Sequence, residues 1–232
     1  MNVPKLFMMI GISSSGKSFI AENIAKENDA IIISSDSIRE ELYDYKNQDN
    51  NDEVFKVFHA RIKSLLSQNK NVIADATNLT IKDRKSFFNN LTKVSCNIIG
   101  CIVARRIEEC LSSNRTREYN VPDYVIYRQQ SRFQIPFFNE GFKEIVVYYN
   151  NKNEYYDDFE SNLKSMESFD QKTKWHTLLL KDHCDSVAKN YEDNWLLLSA
   201  KLHDIGKIFT QSCGEDGNCH YYSHAEIGSY YL

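Results

Sequence analysis

Long apolar runs are missing from this sequence of 232 residues. A membrane-spanning helix needs roughly 20 consecutive apolar residues, and no stretch approaches that length, so we expect no association with membranes. The first apolar run, Lys5–Ile10, ends directly in a Gly/Ser loop, which is not the pattern of a secretory signal. These absences predict a soluble, cytoplasmic protein.

The sequence also lacks an excess of positive charge, C-x-x-C pairs and internal repeats. Its 28 Lys and Arg stand against 32 Asp and Glu, a net charge of −4, which argues against coating nucleic acid through the overall field. A nucleic-acid substrate would have to be held locally, near an end. None of the six cysteines forms a C-x-x-C pair, so we expect free thiols in a reducing cytosol.

The most specific motif that is present is G-x-x-x-x-G-K-S at residues 11–18. It follows a predicted strand and precedes a predicted helix, the context in which this motif binds phosphate. Backbone N–H groups of such a loop surround phosphate oxygens, and the helix N-terminus adds positive partial charge. Lys17 is expected to contact the β- and γ-phosphates of ATP, and Ser18 to ligate Mg²⁺. The predicted nucleotide-binding residues are Gly11, Ser13, Ser14, Ser15, Gly16, Lys17, Ser18 and Asp75.

Five apolar strands alternate with amphipathic helices in the first part of the chain, at residues 5–10, 30–34, 71–76, 97–104 and 144–149. This alternation predicts an α/β domain over residues 1–150, with a parallel sheet covered by helices on both faces. Residues 151–173 are polar and are interpreted as a linker. Residues 174–232 are predicted to form a small, all-helical module.

Two aspartates follow predicted strands and therefore belong at the ligand-binding edge of the sheet. Asp36 is positioned to take the proton of an attacking hydroxyl, and Arg39, one helical turn on, to pair with an anionic group of the acceptor. Alternatively, Asp36 only caps the following helix. Asp75 could hold a Mg²⁺-bound water or orient Ser18, or else cap the helix that begins near Thr80.

An arginine-rich segment follows the fourth strand, with six arginines between positions 101 and 132. Arginines in a mobile lid neutralise the charge that develops during phosphoryl transfer. Arg117 is the candidate for this role. Arg115 is the alternative, and some of the six belong to a solvated helical face.

These segments together resemble the 5′-hydroxyl polynucleotide kinases of phage and bacterial end-healing systems. The resemblance covers about residues 4–150 and rests on residues 11–18, Asp36-Ser37-Ile38-Arg39, residues 74–78, and Asn114-x-x-Arg117 before Val121-Pro122. It implies ATP-dependent phosphorylation of a 5′-OH end, with Asp36 as general base, Arg39 on the substrate phosphate and Arg117 as lid arginine. In one departure, Ser113 stands where members often carry an arginine.

Five of the six histidines lie in the last 57 residues. His183 shares a predicted helix face with Leu180, and the His203-Asp204 pair ends the next predicted helix, so the three side chains can meet. Imidazole with carboxylate suits Mn²⁺, Fe, Co, Ni or Zn²⁺, and such a metal generates hydroxide for phosphoester hydrolysis.

This segment resembles the HD-domain phosphohydrolases, whose ligand set is H…HD…D. His183, His203 and Asp204 match the first three positions, and His224 resembles an additional histidine of some members. The final aspartate has no counterpart after Asp216, so the module looks incomplete, with its remainder in a missing C-terminal segment or another chain, and little hydrolase activity is expected. Cys213, Cys219 and His220 are interpreted as part of a flexible loop rather than a zinc site.

The combined hypothesis is an enzyme of RNA or DNA end healing. The kinase domain phosphorylates 5′-OH ends, and an intact HD module removes a 3′ or 2′,3′-cyclic phosphate, so that an RNA ligase can act next. One alternative is a kinase of small molecules such as nucleosides or sugars. Another is a non-catalytic nucleotide sensor with a degenerate HD part.

Overall fold

The computed structural model describes residues 3–43, 50–92, 94–150, 156–173, 175–215 and 217–231. The chain divides into two compact units. The first consists of Met1–Gln129 and Gln134–Asn151, and the second of Gln130–Phe133 and Lys152–Leu232.

A five-stranded parallel sheet forms the centre of the first unit. Its strands are β1 (Lys5–Ile10), β2 (Ala30–Ser34), β3 (Asn71–Asp75), β4 (Asn97–Ala104) and β5 (Glu144–Tyr149). They lie in the order β2-β3-β1-β4-β5, so β1 pairs with β3 on one side and with β4 on the other. This confirms the predicted α/β class with a parallel sheet, and it places the P-loop at the middle of the sheet edge.

Six α-helices and one 3₁₀ turn follow these strands within the described part of this unit. The helices are α1 (Lys17–Asn28), α2 (Ser35–Leu42), α3 (Asn51–Ser67), α4 (Ile81–Asn90), α5 (Ile107–Arg115) and α6 (Asp123–Gln130), and the 3₁₀ turn is Phe138–Glu140. Phe7 and Met9 of β1 pack with Ala21 and Ile24 of α1. Because side chains alternate across a strand, Met8 is buried on the opposite face.

The second unit is mainly helical. Its elements are α7 (Tyr156–Ser168), α8 (Leu180–Ala188), α9 (Asn194–Leu202), α10 (Lys207–Thr210) and α11 (His224–Tyr231), with the short strands β6 (Ser212–Cys213) and β7 (Cys219–His220). Met166 of α7 packs with Leu180, Cys184, Leu202 and Ile205. Helix α7 therefore contributes to the core of this unit, although the sequence was interpreted there as a linker.

The strands β6 and β7 pair as an antiparallel hairpin, and a disulfide joins Cys213 to Cys219. The expectation of free thiols was wrong for these two cysteines, as was the expectation of a flexible loop. Their spacing across a tight hairpin brings the two sulfurs together, which a search for C-x-x-C pairs does not detect. Cys96, Cys101, Cys110 and Cys184 are not joined in a disulfide.

None of the helices in the described part of the chain combines the length and the apolar character that a membrane-spanning segment requires.

Candidate functional site

The loop between β1 and α1 has the backbone geometry of a phosphate cradle. Gly16 adopts a φ of 96°, a left-handed conformation that side chains disfavour. A Cβ atom on Gly16 would also collide with the amide nitrogen of Asn150, which donates a hydrogen bond of 2.7 Å to the Ser15 carbonyl. The positive φ therefore favours glycine at this position, and a side chain there would also displace that of Asn150.

Lys17 begins helix α1, and its ammonium group points back across the loop. Its Nζ donates a hydrogen bond of 2.7 Å to the carbonyl of Ile12. Burial lowers the pKa of Lys17, while the carboxylates of Asp75 and Asp36 act in the opposite direction. Lys17 lines a cavity beside the loop, where its ammonium group can meet a polyphosphate.

Ser18 and Asp75 form a pair of oxygen ligands at the adjacent strand end. The Ser18 hydroxyl donates a hydrogen bond of 2.9 Å to Oδ2 of Asp75. Burial raises the pKa of Asp75, against the lowering effects of the Lys17 ammonium and the Ser18 hydroxyl. Mg²⁺ prefers oxygen ligands of this type, so the donor set fits the ion that accompanies ATP.

The helix after Asp75 is capped by another residue. The hydroxyl of Thr80 accepts a hydrogen bond of 3.1 Å from the amide of Asp83, which begins α4 without help from Asp75. Asp75 is instead held next to β1 by two hydrogen bonds. The backbone N–H of Gly11 donates to the Thr77 carbonyl, and the side-chain amide of Asn78 donates to the Met9 carbonyl.

Asp36 lies in the first turn of α2, but it does not cap this helix. The cap is Ser34, whose hydroxyl accepts from the amide of Ser37 at 3.4 Å. Asp36 is exposed and lines the cavity beside the P-loop. The helix therefore has a capping residue of its own, and the carboxylate of Asp36 faces the cavity instead.

Arg39 follows on the same helix and is only 4% exposed. Its Nη2 donates a hydrogen bond of 2.6 Å to Oδ1 of Asn51, the first residue of α3. Both residues line the same cavity. Asn51 was not recognised from the sequence, because its contact with Arg39 spans two helices and no motif includes it.

The arginine-rich segment closes a third side of the cavity. Asn114 stabilises it by donating to the Val121 carbonyl at 2.7 Å and accepting from the Val121 amide at 3.1 Å. Arg117 lines the cavity, with its Nη1 3.5 Å from the hydroxyl of Ser14. Arg115 pairs instead with Asp123 at 2.7 Å on the surface.

Two further side chains contact the P-loop and were not selected from the sequence. Arg105 donates a hydrogen bond of 3.1 Å to the Ser14 carbonyl, and it lies 3.2 Å from Glu109. Gln129 of α6 accepts a hydrogen bond of 2.7 Å from the Ser13 amide. Both line the cavity, and their contribution depends on the tertiary fold rather than on a local pattern.

One cavity of about 1020 Å³ lies beside the P-loop, within the first unit. Among its lining residues are Lys17, Ser18, Asp36, Arg39, Asp75 and Arg117. Lys17 and Ser18 begin α1, Asp36 and Arg39 lie in α2, Asp75 ends β3, and Arg117 follows α5. The cavity combines the P-loop, the hydrogen-bonded pair of Ser18 and Asp75, and the exposed carboxylate of Asp36.

The second unit contains the predicted histidine cluster. Ligand atoms of His183, His203 and Asp204 lie within 4.8 Å of one another, close enough to hold one metal ion. The Asp204 carboxylate is also 3.3 Å from Nε2 of His224 and 2.7 Å from Nζ of Lys207. The four residues selected from the sequence are therefore brought together around one carboxylate.

Backbone carbonyls orient two of these imidazoles. Nδ1 of His203 lies 2.8 Å from the Ala200 carbonyl, and Nδ1 of His224 lies 2.8 Å from the Tyr221 carbonyl. With Nδ1 of each ring donating to its carbonyl, Nε2 carries a lone pair that points toward Asp204. Histidines that bind metals in proteins are oriented in the same way. Burial acts against ionisation of Asp204, but the hydrogen bond and charge of Lys207 lower its pKa overall.

Gly206 explains how α11 reaches this cluster. Helix α9 ends at Leu202, and Gly206 has an ordinary helical φ of −61°. A Cβ atom at Gly206 would overlap the backbone carbonyl of His224. The glycine therefore permits the close approach of the backbone that carries His224.

His176 and His220 have other environments. The ring of His176 contacts that of His183 at a centroid distance of 5.1 Å, so it lies beside the cluster although the sequence did not mark it as a ligand. His220 stacks on Tyr222, and the neighbouring cysteines are joined in the disulfide. A metal site of Cys213, Cys219 and His220 is not formed.

The architecture of the first unit defines a P-loop kinase-like fold. A family model described as an AAA domain matches residues 6–136, and the chain belongs to this family. No curated protein matches the chain in sequence.

Three solved structures illustrate the likeness. A putative kinase from Chloroflexus aurantiacus has a TM-score of 0.54 and 14% identity, over 71% of this chain and 98% of its own. The structure of the Pnkp1/Rnl/Hen1 RNA repair complex has a TM-score of 0.51 and 22% identity. The match covers 56% of this chain and 43% of the chain in that complex. A fungal RNA kinase has a TM-score of 0.50 and 12% identity, and the match covers 86% of this chain and 49% of the kinase chain. The matched region thus spans less than half of the RNA-repair chain, and at these identities the likeness shows the fold.

Proposed function

We propose that the first unit is an ATP-dependent kinase of 5′-hydroxyl ends of RNA or DNA. The observation that carries this proposal is the convergence of Lys17, Asp36, Arg39 and Arg117 on one cavity. The acceptor hydroxyl needs a general base. A phosphate on the acceptor needs a cation to pair with, and the transferred phosphoryl group needs another cation. These three requirements correspond to Asp36, Arg39 and Arg117.

The ATP phosphates would lie along the P-loop amides and Lys17. Mg²⁺, held through Ser18 and a water on Asp75, would supply charge neutralisation at the β- and γ-phosphates. The acceptor hydroxyl gives its proton to Asp36 as its oxygen bonds to the γ-phosphorus. The bond from that phosphorus to the bridging oxygen of the β-phosphate breaks, which releases ADP. Arg117 stabilises the charge on the transferred group.

The buried position of Arg39 supports an anionic acceptor. Its guanidinium is fixed by Asn51 at one nitrogen and faces the cavity that contains Asp36. A phosphodiester adjacent to the 5′ nucleoside would meet this cation while the hydroxyl meets the carboxylate. The resemblance of the sequence motifs to those of end-healing kinases supports the polynucleotide over a sugar or a nucleoside.

The second unit is proposed to be an HD-type phosphohydrolase module for 3′ or 2′,3′-cyclic phosphates. The arrangement of His183, His203, Asp204 and His224 carries this part. Nitrogen and oxygen ligands suit Mn²⁺, Fe, Co, Ni or Zn²⁺, which would supply a metal-bound hydroxide. A cytoplasmic end-healing role with an RNA ligase as the next enzyme follows from the two activities together.

The kinase proposal is tested by transfer of the labelled γ-phosphate of ATP to matched RNA and DNA oligonucleotides with 5′-OH ends. Asp36→Asn should lower kcat by about 10²–10⁴-fold with the Kd for ATP unchanged, as expected for loss of a general base. Glu40→Gln is the matched control, because Glu40 is an exposed carboxylate on the same helix. Equal activity of the two variants would contradict the role of Asp36.

The hydrolase proposal is tested with an oligonucleotide that ends in a 2′,3′-cyclic phosphate, in the presence of Mn²⁺. Any phosphate release should disappear in His203→Ala and persist in His220→Ala, since His220 stacks on Tyr222 at a centroid distance of 5.5 Å rather than joining the Asp204 cluster. Mn²⁺ binding that is equal in the two variants would contradict the assignment of the site.

A further inference from the structure

The cavity of the first unit contains a side chain to which no step of phosphoryl transfer assigns a role. Phe55 of α3 lines the same cavity as Asp36, Arg39 and Asn51. It is half-buried, whereas the cavity-lining Phe19 and Tyr124 are 62% and 66% exposed. Phe55 is therefore a partly shielded aromatic surface at the acceptor side of the cavity.

The position of Phe55 relative to Arg39 follows from the helix. Asn51 and Phe55 are four residues apart in α3, so their side chains lie on one face with Cβ atoms about 6 Å apart. Asn51 holds the guanidinium of Arg39 at 2.6 Å. The ring of Phe55 consequently belongs to the same wall as the cation that is proposed to bind the acceptor phosphate.

Neighbouring rings fix the orientation of Phe55. Its ring makes an edge contact with Phe58 at a centroid distance of 5.7 Å and a tilted contact with His59 at 6.0 Å. His59 in turn packs against Phe87 at 4.9 Å. Phe55 is the member of this aromatic cluster that reaches the cavity, so it can offer a ring face whose position is already set.

We propose that Phe55 is the platform on which the base of the acceptor's 5′-terminal nucleoside stacks. This inference rests on the proposed polynucleotide kinase function and defines its acceptor subsite. One ribose carries the 5′ hydroxyl, the 3′ phosphate and the base, and the cavity offers Asp36, Arg39 and Phe55 as their respective partners. Stacking on an aromatic ring accepts all bases, because each has a π-face. The subsite therefore selects for a nucleoside without selecting its base.

The test compares two oligonucleotides with a 5′-OH, one with a base on the terminal nucleotide and one abasic at that position. The wild type should show a KM about tenfold lower for the acceptor with the base, in the range known for stacking on one ring. Phe55→Ala should raise that KM about tenfold and leave the KM for the abasic acceptor unchanged. Phe55→Tyr, which keeps the ring, should retain the preference.

A spectroscopic readout separates stacking from a structural role. An oligonucleotide with a 5′-terminal 2-aminopurine should lose fluorescence on binding to the wild type and Phe55→Tyr, and retain it with Phe55→Ala. An equal rise of KM for both acceptors in Phe55→Ala, or quenching that does not depend on residue 55, would overturn the inference while the kinase function stands. Transfer by the wild type to a sugar but to neither oligonucleotide would overturn both.

Discussion

At the scale of single residues, the first unit depends on a buried ion pair that the sequence analysis did not identify. The guanidinium of Arg84 and the carboxylate of Glu140 are 0% and 1% exposed and form two hydrogen bonds of 2.8 and 2.9 Å. Arg84 also donates to the carbonyls of Asn78 and Leu79, directly after the strand that ends in Asp75. This network stabilises the chain segment beside the metal-ligating oxygens.

Removal of Arg84 should be costly because it leaves Glu140 buried without its cation. For Arg84→Ala we expect a loss of about 3–5 kcal/mol in the free energy of unfolding. Arg61→Ala is the matched control, since Arg61 forms the same two-bond pair with Glu41 at 41% and 54% exposure, and it should lose at most about 1 kcal/mol. Urea unfolding of both variants measures the difference. Similar losses would contradict the account.

A second residue-scale prediction concerns pH. Burial lowers the pKa of His59 in the folded chain below its ordinary value of 6.5. As the pH falls, the unfolded chain takes up the proton before the folded chain does. The free energy of unfolding therefore keeps its full value above pH 6.5 and decreases as the pH drops below that value. His59→Phe should reduce this loss, which urea unfolding between about pH 8 and pH 5 would detect. Parallel pH profiles for variant and wild type would contradict the prediction.

The candidate kinase residues could be selected from the sequence because each belongs to a short local motif. Lys17, Asp36, Arg39 and Arg117 all line the cavity, and their roles remain predictions. Asn51, Arg105 and Gln129 were not found, because each contacts the site through a pairing between distant segments.

At the scale of secondary-structure elements, the apolar strands were predictable and the short or polar elements were not. The inner strands β1, β3 and β4 are largely buried, and each contains an unbroken apolar stretch. The hairpin strands β6 and β7 have two residues each, which is too few to show the alternation of apolar and polar side chains typical of a strand. The polar composition of residues 151–173 indicated a connecting segment with some helix, and Met166 of α7 packs into the core of the second unit.

The disulfide in the β6–β7 hairpin provides an element-scale prediction. Alkylation of the unfolded, unreduced chain should modify the four free cysteines, and prior reduction should raise the number to six. Because the cross-link closes a short loop, Cys213→Ser should lower the stability of the second unit by about 2 kcal/mol under oxidising conditions. Mass spectrometry counts the modified cysteines. Six modified cysteines before reduction would contradict the disulfide.

At the scale of the whole molecule, the two compact units contain two separate candidate sites. The cavity at the P-loop lies within the first unit, and the histidine cluster lies within the second. A ligand of one site stabilises the folded state of the unit that binds it, by about 2.7 kcal/mol at a hundred times its Kd. The units should therefore respond to different ligands.

Calorimetry of the full chain should show this independence. MgATP should raise the midpoint of one unfolding transition, and Mn²⁺ should raise that of another. His203→Ala should abolish the Mn²⁺ shift and leave the MgATP shift intact, because the cluster of His203 is confined to the second unit. A loss of both shifts in His203→Ala would contradict separate sites.

The central claim is that the cavity beside the P-loop transfers the γ-phosphate of ATP to a polynucleotide 5′ hydroxyl. The most direct measurement offers a 5′-OH oligonucleotide and a sugar acceptor together in one reaction with labelled ATP, followed by nuclease digestion of the oligonucleotide. The account predicts label released as a nucleoside 5′-monophosphate by the wild type and its loss in Asp36→Asn. Label on the sugar, or undiminished transfer by Asp36→Asn, would contradict it.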